Sequence, residues 1–129
     1  MSGEPITPVR VLIADDHRLF AEALEAVLSS EPRIEVVGRA SDGGEAVELA
    51  RRLEPDLVIL DISMPVLDGF EAAAALEALQ PTPAVLMLTG SNSPDDIDRA
   101  RRAGAKGYIT KDAIAARLVD AILAAADVR

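Results

Sequence analysis

The sequence of 129 residues contains no cysteine and no tryptophan, and it has a single histidine. Without cysteine there is no disulfide, no thiolate nucleophile and no zinc–thiolate site. Aromatic residues make up only 2% of the chain, so a core must be built from the aliphatic side chains within its 50% hydrophobic content. A chain of this length is expected to form one domain.

Basic residues are also scarce. The chain has 13 Lys and Arg against 22 Asp and Glu, which gives a net charge of -9. This balance disfavours direct binding to nucleic acid or to an anionic membrane, because both select for basic residues. The acidity is consistent with simple solubility or with a local acidic pocket for a cation. No apolar run approaches the roughly 20 residues of a membrane span, and the N-terminus has no signal-peptide pattern, so we expect a cytoplasmic protein.

Short apolar runs alternate with segments of helical spacing five times along the chain. The predicted strands are residues 9–14, 34–40, 57–60, 84–88 and 107–110, and the predicted helices are residues 17–29, 42–53, 68–79, 93–103 and 114–125. The predicted apolar face of the first helix consists of Phe20, Leu24, Val27 and Leu28. The predicted caps of the next three helices are Asp42, Asp68 and Ser93. Such alternation predicts an α/β fold, a doubly wound, flavodoxin-like sheet of five parallel strands in the order 2-1-3-4-5 with five helices on its two faces. Residues 1–8 are predicted to be a flexible tail, and 9–129 the domain.

Polar residues follow four of the predicted strands. Asp15 and Asp16 come after the first strand, Asp61 after the third, Thr89 after the fourth and Lys111 after the fifth. Carboxyl ends of parallel strands share one edge of a sheet, and ligands bind there at the point where the strand order reverses. The three carboxylates are therefore expected to converge between the first and third strands.

This set of side chains suits phosphoryl chemistry. Two like charges about 4 Å apart repel by roughly 4 kcal/mol at an effective dielectric of 20, so the carboxylates need raised pKa values or a bound cation. Oxygen ligands favour Mg²⁺, while Lys111 and Thr89 could contact phosphoryl oxygens, and Asp61 could form an aspartyl-phosphate. Taken singly, each residue could be an ordinary helix cap or strand-end residue.

Four stretches in this order resemble the receiver domain of two-component response regulators: VLIADDH (11–17), LVILDISMPVLDGFE (57–71), VLMLTGS (85–91) and GAKGYITKD (104–112). The resemblance covers the whole chain after the tail. His17, and GYITKD where the family more often has Lys-Pro, are similar to receivers of LuxR/NarL-type transcription regulators.

The resemblance implies roles for the site residues. Asp61 would accept a phosphoryl group from a histidine of a sensor kinase. Asp15, Asp16, Asp61 and the backbone carbonyl of Ser63 would bind Mg²⁺, with Mn²⁺ as a substitute.

The resemblance also implies how the signal leaves the site. Thr89, Lys111 and the backbone amide of Gly90 would hold the phosphoryl oxygens. Thr89 and Tyr108 would form a switch pair that alters the surface of the fourth helix, fifth strand and fifth helix. We expect a phosphorylation-dependent homodimer and no turnover of an external substrate, and so no enzyme. DNA would be bound only through a C-terminal helix-turn-helix domain absent from this chain.

Other functions fit less well. A stand-alone receiver that acts by protein–protein interaction stays open. A haloacid-dehalogenase-type, Mg²⁺-dependent phosphatase would place its nucleophile after the first strand, with a second Asp where this chain has Ser63. A flavodoxin-like cofactor binder needs a Ser/Thr/Gly-rich phosphate loop where this chain has Asp15 and Asp16. A degenerate receiver is disfavoured because the site positions are filled.

Overall fold

The computed structural model describes residues 7–62, 69–90 and 94–127. Strands and helices alternate along these residues, and a 3-10 turn, Lys111–Ala113, precedes the last helix. Their bounds are β1 Val9–Ala14, α1 Arg18–Ser29, β2 Ile34–Ala40, α2 Gly43–Leu53, β3 Leu57–Asp61, α3 Gly69–Glu77, β4 Ala84–Thr89, α4 Pro94–Arg102, β5 Gly107–Thr110 and α5 Ile114–Asp127. No helix in these ranges is long and apolar enough to cross a membrane. Residues 1–6 of the predicted tail lie outside them.

The strands form one sheet in the order β2-β1-β3-β4-β5, and every pairing is parallel. The doubly wound α/β fold and the strand order predicted from the sequence are therefore confirmed. The order reverses between β1 and β3, which pair from Val11 with Leu57 to Ala14 with Leu60. The carboxyl ends of these two central strands consequently lie side by side.

The sheet separates two aliphatic layers of core. Alternate strand residues such as Val11, Ile59 and Leu88 face α1 and α5, while their neighbours face α2, α3 and α4. Each layer contains one partly buried phenylalanine: Phe20 in the first and Phe70 in the second. All residues of β3 and β4 are buried, as continuous apolar runs predict for a parallel sheet covered on both faces.

Two strands extend one residue further than the sequence predicted. β3 ends on Asp61, which pairs with Leu88, and β4 ends on Thr89, which pairs with Thr110. A polar residue after an apolar run looks like a strand end, but the partner strand continues the pairing here. Asp61 was expected to follow the buried part of the strand, and this is wrong. Its backbone still belongs to the sheet, and its side chain is buried.

The helix predictions are correct in position, with small differences. In α1 the buried residues are Ala21, Leu24 and Leu28, whereas Val27, predicted on the apolar face, is 37% exposed. The predicted cap of α2 is confirmed, since an Asp42 carboxylate oxygen accepts a hydrogen bond from the Glu45 N–H at 2.8 Å. The other helices end within two residues of their predicted ends. The predicted caps Asp68 and Ser93 lie outside the described residues.

Candidate functional site

Three carboxylates converge at the point where the strand order reverses. Asp15 follows β1, Asp61 ends β3, and each of these and Asp16 offers a carboxylate oxygen within 4.8 Å of the others. Asp15 and Asp61 are only 2% and 4% exposed, while Asp16 is exposed. The convergence expected from the strand order is thus observed, with two of the carboxylates out of solvent.

One oxygen of Asp15 has no hydrogen-bond donor among the residues that the structure describes. Its Oδ1 accepts a hydrogen bond from the His17 N–H at 2.8 Å, and its backbone N–H donates to the Ala40 carbonyl at 3.0 Å. Oδ2 is buried and receives no hydrogen bond from the described part of the chain, and an unpaired buried polar atom typically costs about 1–3 kcal/mol. An acceptor of this kind beside two further carboxylates is suited to a cation.

Burial raises the pKa of the Asp15 carboxyl group to about 6, and the charge of Asp61 acts in the same direction. The His17 N–H and the Lys111 ammonium oppose this increase but do not cancel it. A carboxyl group with a pKa this far above the ordinary value of 3.8 is held where its charged form lacks sufficient counter-charge.

Lys111 supplies the positive charge of the site. It begins the 3-10 turn after β5, and its Nζ donates to Asp61 Oδ2 at 2.9 Å and lies 3.7 Å from Asp15 Oδ2. Burial acts to lower the pKa of this ammonium, but the hydrogen bond to Asp61 and the charges of Asp61 and Asp15 outweigh it, so the pKa is raised. Lys111 is therefore a cation at this site.

Thr89, Gly90 and Tyr108 lie on the β4–β5 side of Asp61. Thr89 is 3% exposed and Tyr108 is 42% exposed, and a Cβ on Gly90 would have no atom of the other described residues within 4 Å. Tyr108 pairs with Met87, two residues before Thr89, so the two side chains share a face of the sheet. A small cavity lined by both, together with Ile97 of α4, lies between them. Ser63 lies outside the described residues.

The start of α3 packs tightly against the end of β3. A Cβ on Gly69 would lie 2.5 Å from the Asp61 carbonyl oxygen and 2.5 Å from Ile62 Cα. Because both neighbours are backbone atoms, they cannot yield as the end of a flexible side chain would. The lack of a side chain at Gly69 thus allows the first residue of α3 to lie in contact with the backbone of Asp61 and Ile62.

Two neighbours of the site were not predicted from the sequence. The ring of Phe20, in α1, lies 4.7 Å from the Lys111 Nζ. Arg39 lines a cavity of about 310 Å³ beside Asp15 and Asp16. Helical periodicity identified Phe20 as an apolar residue, but no sequence signal connects it with Lys111.

Comparison with known proteins agrees with this geometry. A family model described as the response regulator receiver domain matches residues 11–123. The chain belongs to this family. The receiver is 40% identical over 117 residues to the transcriptional regulatory protein LiaR of Bacillus subtilis. It also resembles the solved receiver domain of the putative response regulator NarL of Mycobacterium tuberculosis, with 37% identity, a TM-score of 0.89, and coverage of 95% of this chain and 98% of that one.

A solved CheX–CheY–BeF₃–Mg²⁺ complex of Borrelia burgdorferi is also similar, with 27% identity, a TM-score of 0.83, and coverage of 90% of this chain and 87% of that one. The relatives confirm the LuxR/NarL-type subfamily indicated by the sequence. Receivers with such relatives are generally not enzymes. The alignment with LiaR covers 91% of this chain but only 56% of LiaR, so the chain spans about half the length of that relative.

Proposed function

We propose that Asp61 of this receiver accepts a phosphoryl group from a histidine of a sensor kinase in a Mg²⁺-dependent reaction. The observation that carries the proposal is the arrangement around Asp61, whose carboxylate lies beside two further carboxylates and accepts a hydrogen bond from Lys111. In the transfer, a carboxylate oxygen of Asp61 forms the bond to phosphorus. The phosphorus–nitrogen bond of the donor breaks, and its electron pair stays on the histidine nitrogen.

Asp15, Asp16 and Asp61 fit a divalent metal ion. All three offer carboxylate oxygens, the ligand atoms that Mg²⁺ prefers. The Oδ2 of Asp15, which accepts no hydrogen bond from the described residues, would gain the metal ion as a partner. The ion would neutralise charge on the phosphoryl oxygens, and Mn²⁺ is proposed as a substitute. The Mg²⁺ named with the related CheY complex supports this reading. The backbone carbonyl of Ser63, outside the described residues, stays a predicted ligand.

The remaining polar groups would bind the phosphoryl oxygens. The Lys111 Nζ, now 2.9 Å from Asp61 Oδ2, would donate to a phosphoryl oxygen once the carboxylate is phosphorylated. Thr89 ends β4 and Gly90 follows it, at the same edge of the sheet as Asp61, so the Thr89 hydroxyl and the Gly90 N–H would supply two further donors. Such fixed donors stabilise developing charge without having to reorganise.

Thr89 and Tyr108 are proposed to transmit the signal. The phosphoryl group carries about -1.5 to -2 charge and takes the place of the single negative charge of the Asp61 carboxylate, and its oxygens would attract the Thr89 hydroxyl. Because Thr89, Ile97 and Tyr108 line the same small cavity, we propose that the exposed Tyr108 ring turns inward towards Thr89 and that its neighbours move to make room. That movement would alter the surface of α4, β5 and α5, which we propose as the phosphorylation-dependent homodimer contact or the contact with an output domain.

The output is proposed from the relatives. Several, like LiaR, are named as transcriptional regulatory proteins. We propose that DNA is bound through a C-terminal helix-turn-helix domain outside this chain, that this chain binds no nucleic acid itself, and that the protein acts in the cytoplasm. Turnover of an external substrate is not expected, because the phosphoryl group would be lost only by hydrolysis at Asp61.

Replacing the acceptor tests the proposal. Asp61→Asn removes the nucleophilic carboxylate, so a small phosphodonor with Mg²⁺ is expected to add one phosphoryl group to the wild type and none to the variant, as measured by intact-protein mass spectrometry. Asp42→Asn is the matched control, because Asn caps a helix about as well as Asp and α2 lies outside the carboxylate cluster. Undiminished labelling of Asp61→Asn would disprove the mechanism. Catalytic turnover of a phosphate monoester would favour the phosphatase reading instead.

A further inference from the structure

An aromatic ring covers the ammonium group of the site lysine. Phe20 in α1 and Lys111 after β5 are far apart in the sequence, yet the Lys111 Nζ lies 4.7 Å from the centroid of the Phe20 ring. A cation within about 6 Å of a ring centroid is attracted by the negative face of the π system. The ring is therefore a third partner of this ammonium, in addition to Asp61 and Asp15.

The Phe20 ring and the carboxylates attract the Lys111 ammonium by different interactions. An ammonium has three N–H donors, one of which is given to Asp61 Oδ2 at 2.9 Å, while Asp15 Oδ2 lies at 3.7 Å. The face of Phe20 attracts the charge without needing a directed N–H bond. A polar side chain at position 20 would occupy a donor, and an aliphatic one would exclude water without attracting the charge.

Packing against the hydrophobic core fixes the Phe20 ring in place. Phe20 is half-buried and packs against the core layer between the sheet, α1 and α5, and the adjacent Ala21 and Leu24 are 4% and 1% exposed. A phenylalanine has only two rotatable side-chain bonds. The Phe20 ring therefore has little freedom to move and restricts one side of the longer Lys111 side chain, which is 29% exposed.

We propose that Phe20 is a positioning residue, whose ring holds the Lys111 ammonium beside Asp61 while leaving its N–H donors free for phosphoryl oxygens. The inference rests on the proposed function of Asp61. When the carboxylate oxygen is replaced by phosphoryl oxygens as the acceptor, the ring keeps the ammonium within reach. Without the ring, Lys111 samples positions directed to solvent, and productive encounters become rarer.

Phe20→Leu tests this, since it keeps an apolar side chain but removes the π face. With a small phosphodonor and saturating Mg²⁺, labelling of Asp61 is expected to slow by about fivefold, equivalent to roughly 1 kcal/mol, with unchanged Mg²⁺ affinity. Phe70→Leu is the matched control. Its ring also lies against a cation, with Arg99 4.0 Å from the centroid, but it packs in the other core layer, and its labelling rate is expected to be unchanged.

Fluorination separates attraction from packing. The chain has two phenylalanines, so in the Phe70→Leu background fluorinated phenylalanine enters at Phe20 alone. The labelling rate is expected to fall stepwise from phenylalanine to its 4-fluoro and 3,5-difluoro forms, because fluorine weakens the negative ring face with little change of shape. In the metal-free protein, the Lys111 Hε resonances are expected to show an upfield ring-current shift that Phe20→Leu abolishes.

Equal rates across the fluorinated series would overturn the positioning role, even if Phe20→Leu is slow, because only packing would then be involved. Equal rates for Phe20→Leu and the wild type would overturn it as well, while leaving the proposed function intact. If the wild type itself takes no phosphoryl group on Asp61, the proposed function fails and the inference fails with it. An unshifted Lys111 signal in the wild type would refute the contact independently of any phosphorylation.

Discussion

The Asp15 carboxyl group is held in the metal-free protein at an energetic disadvantage. It is 2% exposed, its Oδ2 has no hydrogen-bond donor within residues 7–62, 69–90 and 94–127, and its pKa is raised from 3.8 to about 6. The folded state binds the proton of the Asp15 carboxyl group more tightly than the unfolded state does. The loss of folding stability is therefore absent below the pKa that this group has in the unfolded chain. It grows between the two values and is fully present above the folded pKa.

Asp15→Asn is therefore expected to stabilise the metal-free protein at pH 7, by on the order of 2–3 kcal/mol for a shift of this size. The amide is neutral, and its oxygen still accepts from the His17 N–H. At pH 5 the gain should be about half as large, because the wild-type carboxyl is then largely protonated in the fold. Urea unfolding with a metal chelator at the two pH values measures the difference.

The same variant should respond little to Mg²⁺, whereas the wild type should be stabilised by it through mass action. A metal-free Asp15→Asn protein that is less stable than the wild type at pH 7 would contradict this account. It would show that the charged carboxylate already has sufficient partners without an ion.

At the scale of elements, the close contact between the start of α3 and the end of β3 determines what position 69 can hold. Gly69→Ala places a Cβ against the Asp61 carbonyl and Ile62 Cα, at 2.5 Å from each. We expect a loss of about 1–3 kcal/mol of unfolding free energy, because backbone must move, and slower labelling of Asp61. The midpoint of urea unfolding measures the first effect.

Gly90→Ala is the control for stability. It lies at the same edge of the sheet, but its Cβ would meet no atom of the described residues within 4 Å, so the change in unfolding free energy should stay within about 0.5 kcal/mol. Equal unfolding midpoints for the two variants would show that α3 can shift away from β3 without difficulty.

The sequence pattern predicted which strands and helices form more accurately than it predicted their terminal residues. Apolar runs identified each strand, since burial on both faces of a parallel sheet requires them. The ends of β3 and β4 were each one residue short, because partner strands, not local polarity, decided the pairing of Asp61 and Thr89. In α1 several nearly equivalent helical faces fit the pattern. Packing against the sheet selected the one containing Ala21, so Val27 is exposed.

At the scale of the whole molecule, the convergence of the carboxylates was predictable because strand order alone brings the ends of β1 and β3 together. The contacts within the site were not. Whether Lys111 pairs with Asp61 or Asp15, and which ring lies against it, depends on side-chain geometry between elements distant in the sequence. Phe20 illustrates this, since its helical spacing indicates only that it faces inward.

Lys111→Ala is expected to leave Mg²⁺ binding largely intact but to uncouple phosphorylation from dimerisation. Lys111 is not a proposed metal ligand. It starts the turn that connects β5 to α5, so its shift to a phosphoryl oxygen would carry the change to the proposed dimer surface. Sedimentation with and without phosphodonor, together with a Mg²⁺ titration, measures both effects. Asp61→Asn serves as the unphosphorylated control, and phosphorylation-dependent dimers of Lys111→Ala at the wild-type level would count against this role.

The position of Asp61 in the sheet also determines where movement can occur. β3 lies at the centre with every residue buried, and such strands are among the last parts of a protein to open. The reacting group is thus attached to the stiffest part of the molecule, and little conformational freedom remains in its own backbone. At one edge, β5 is short and buried at Ile109 alone. On this side of Asp61, β4 is buried throughout whereas β5 is not, so backbone movement on this side is expected at the edge strand that carries Tyr108.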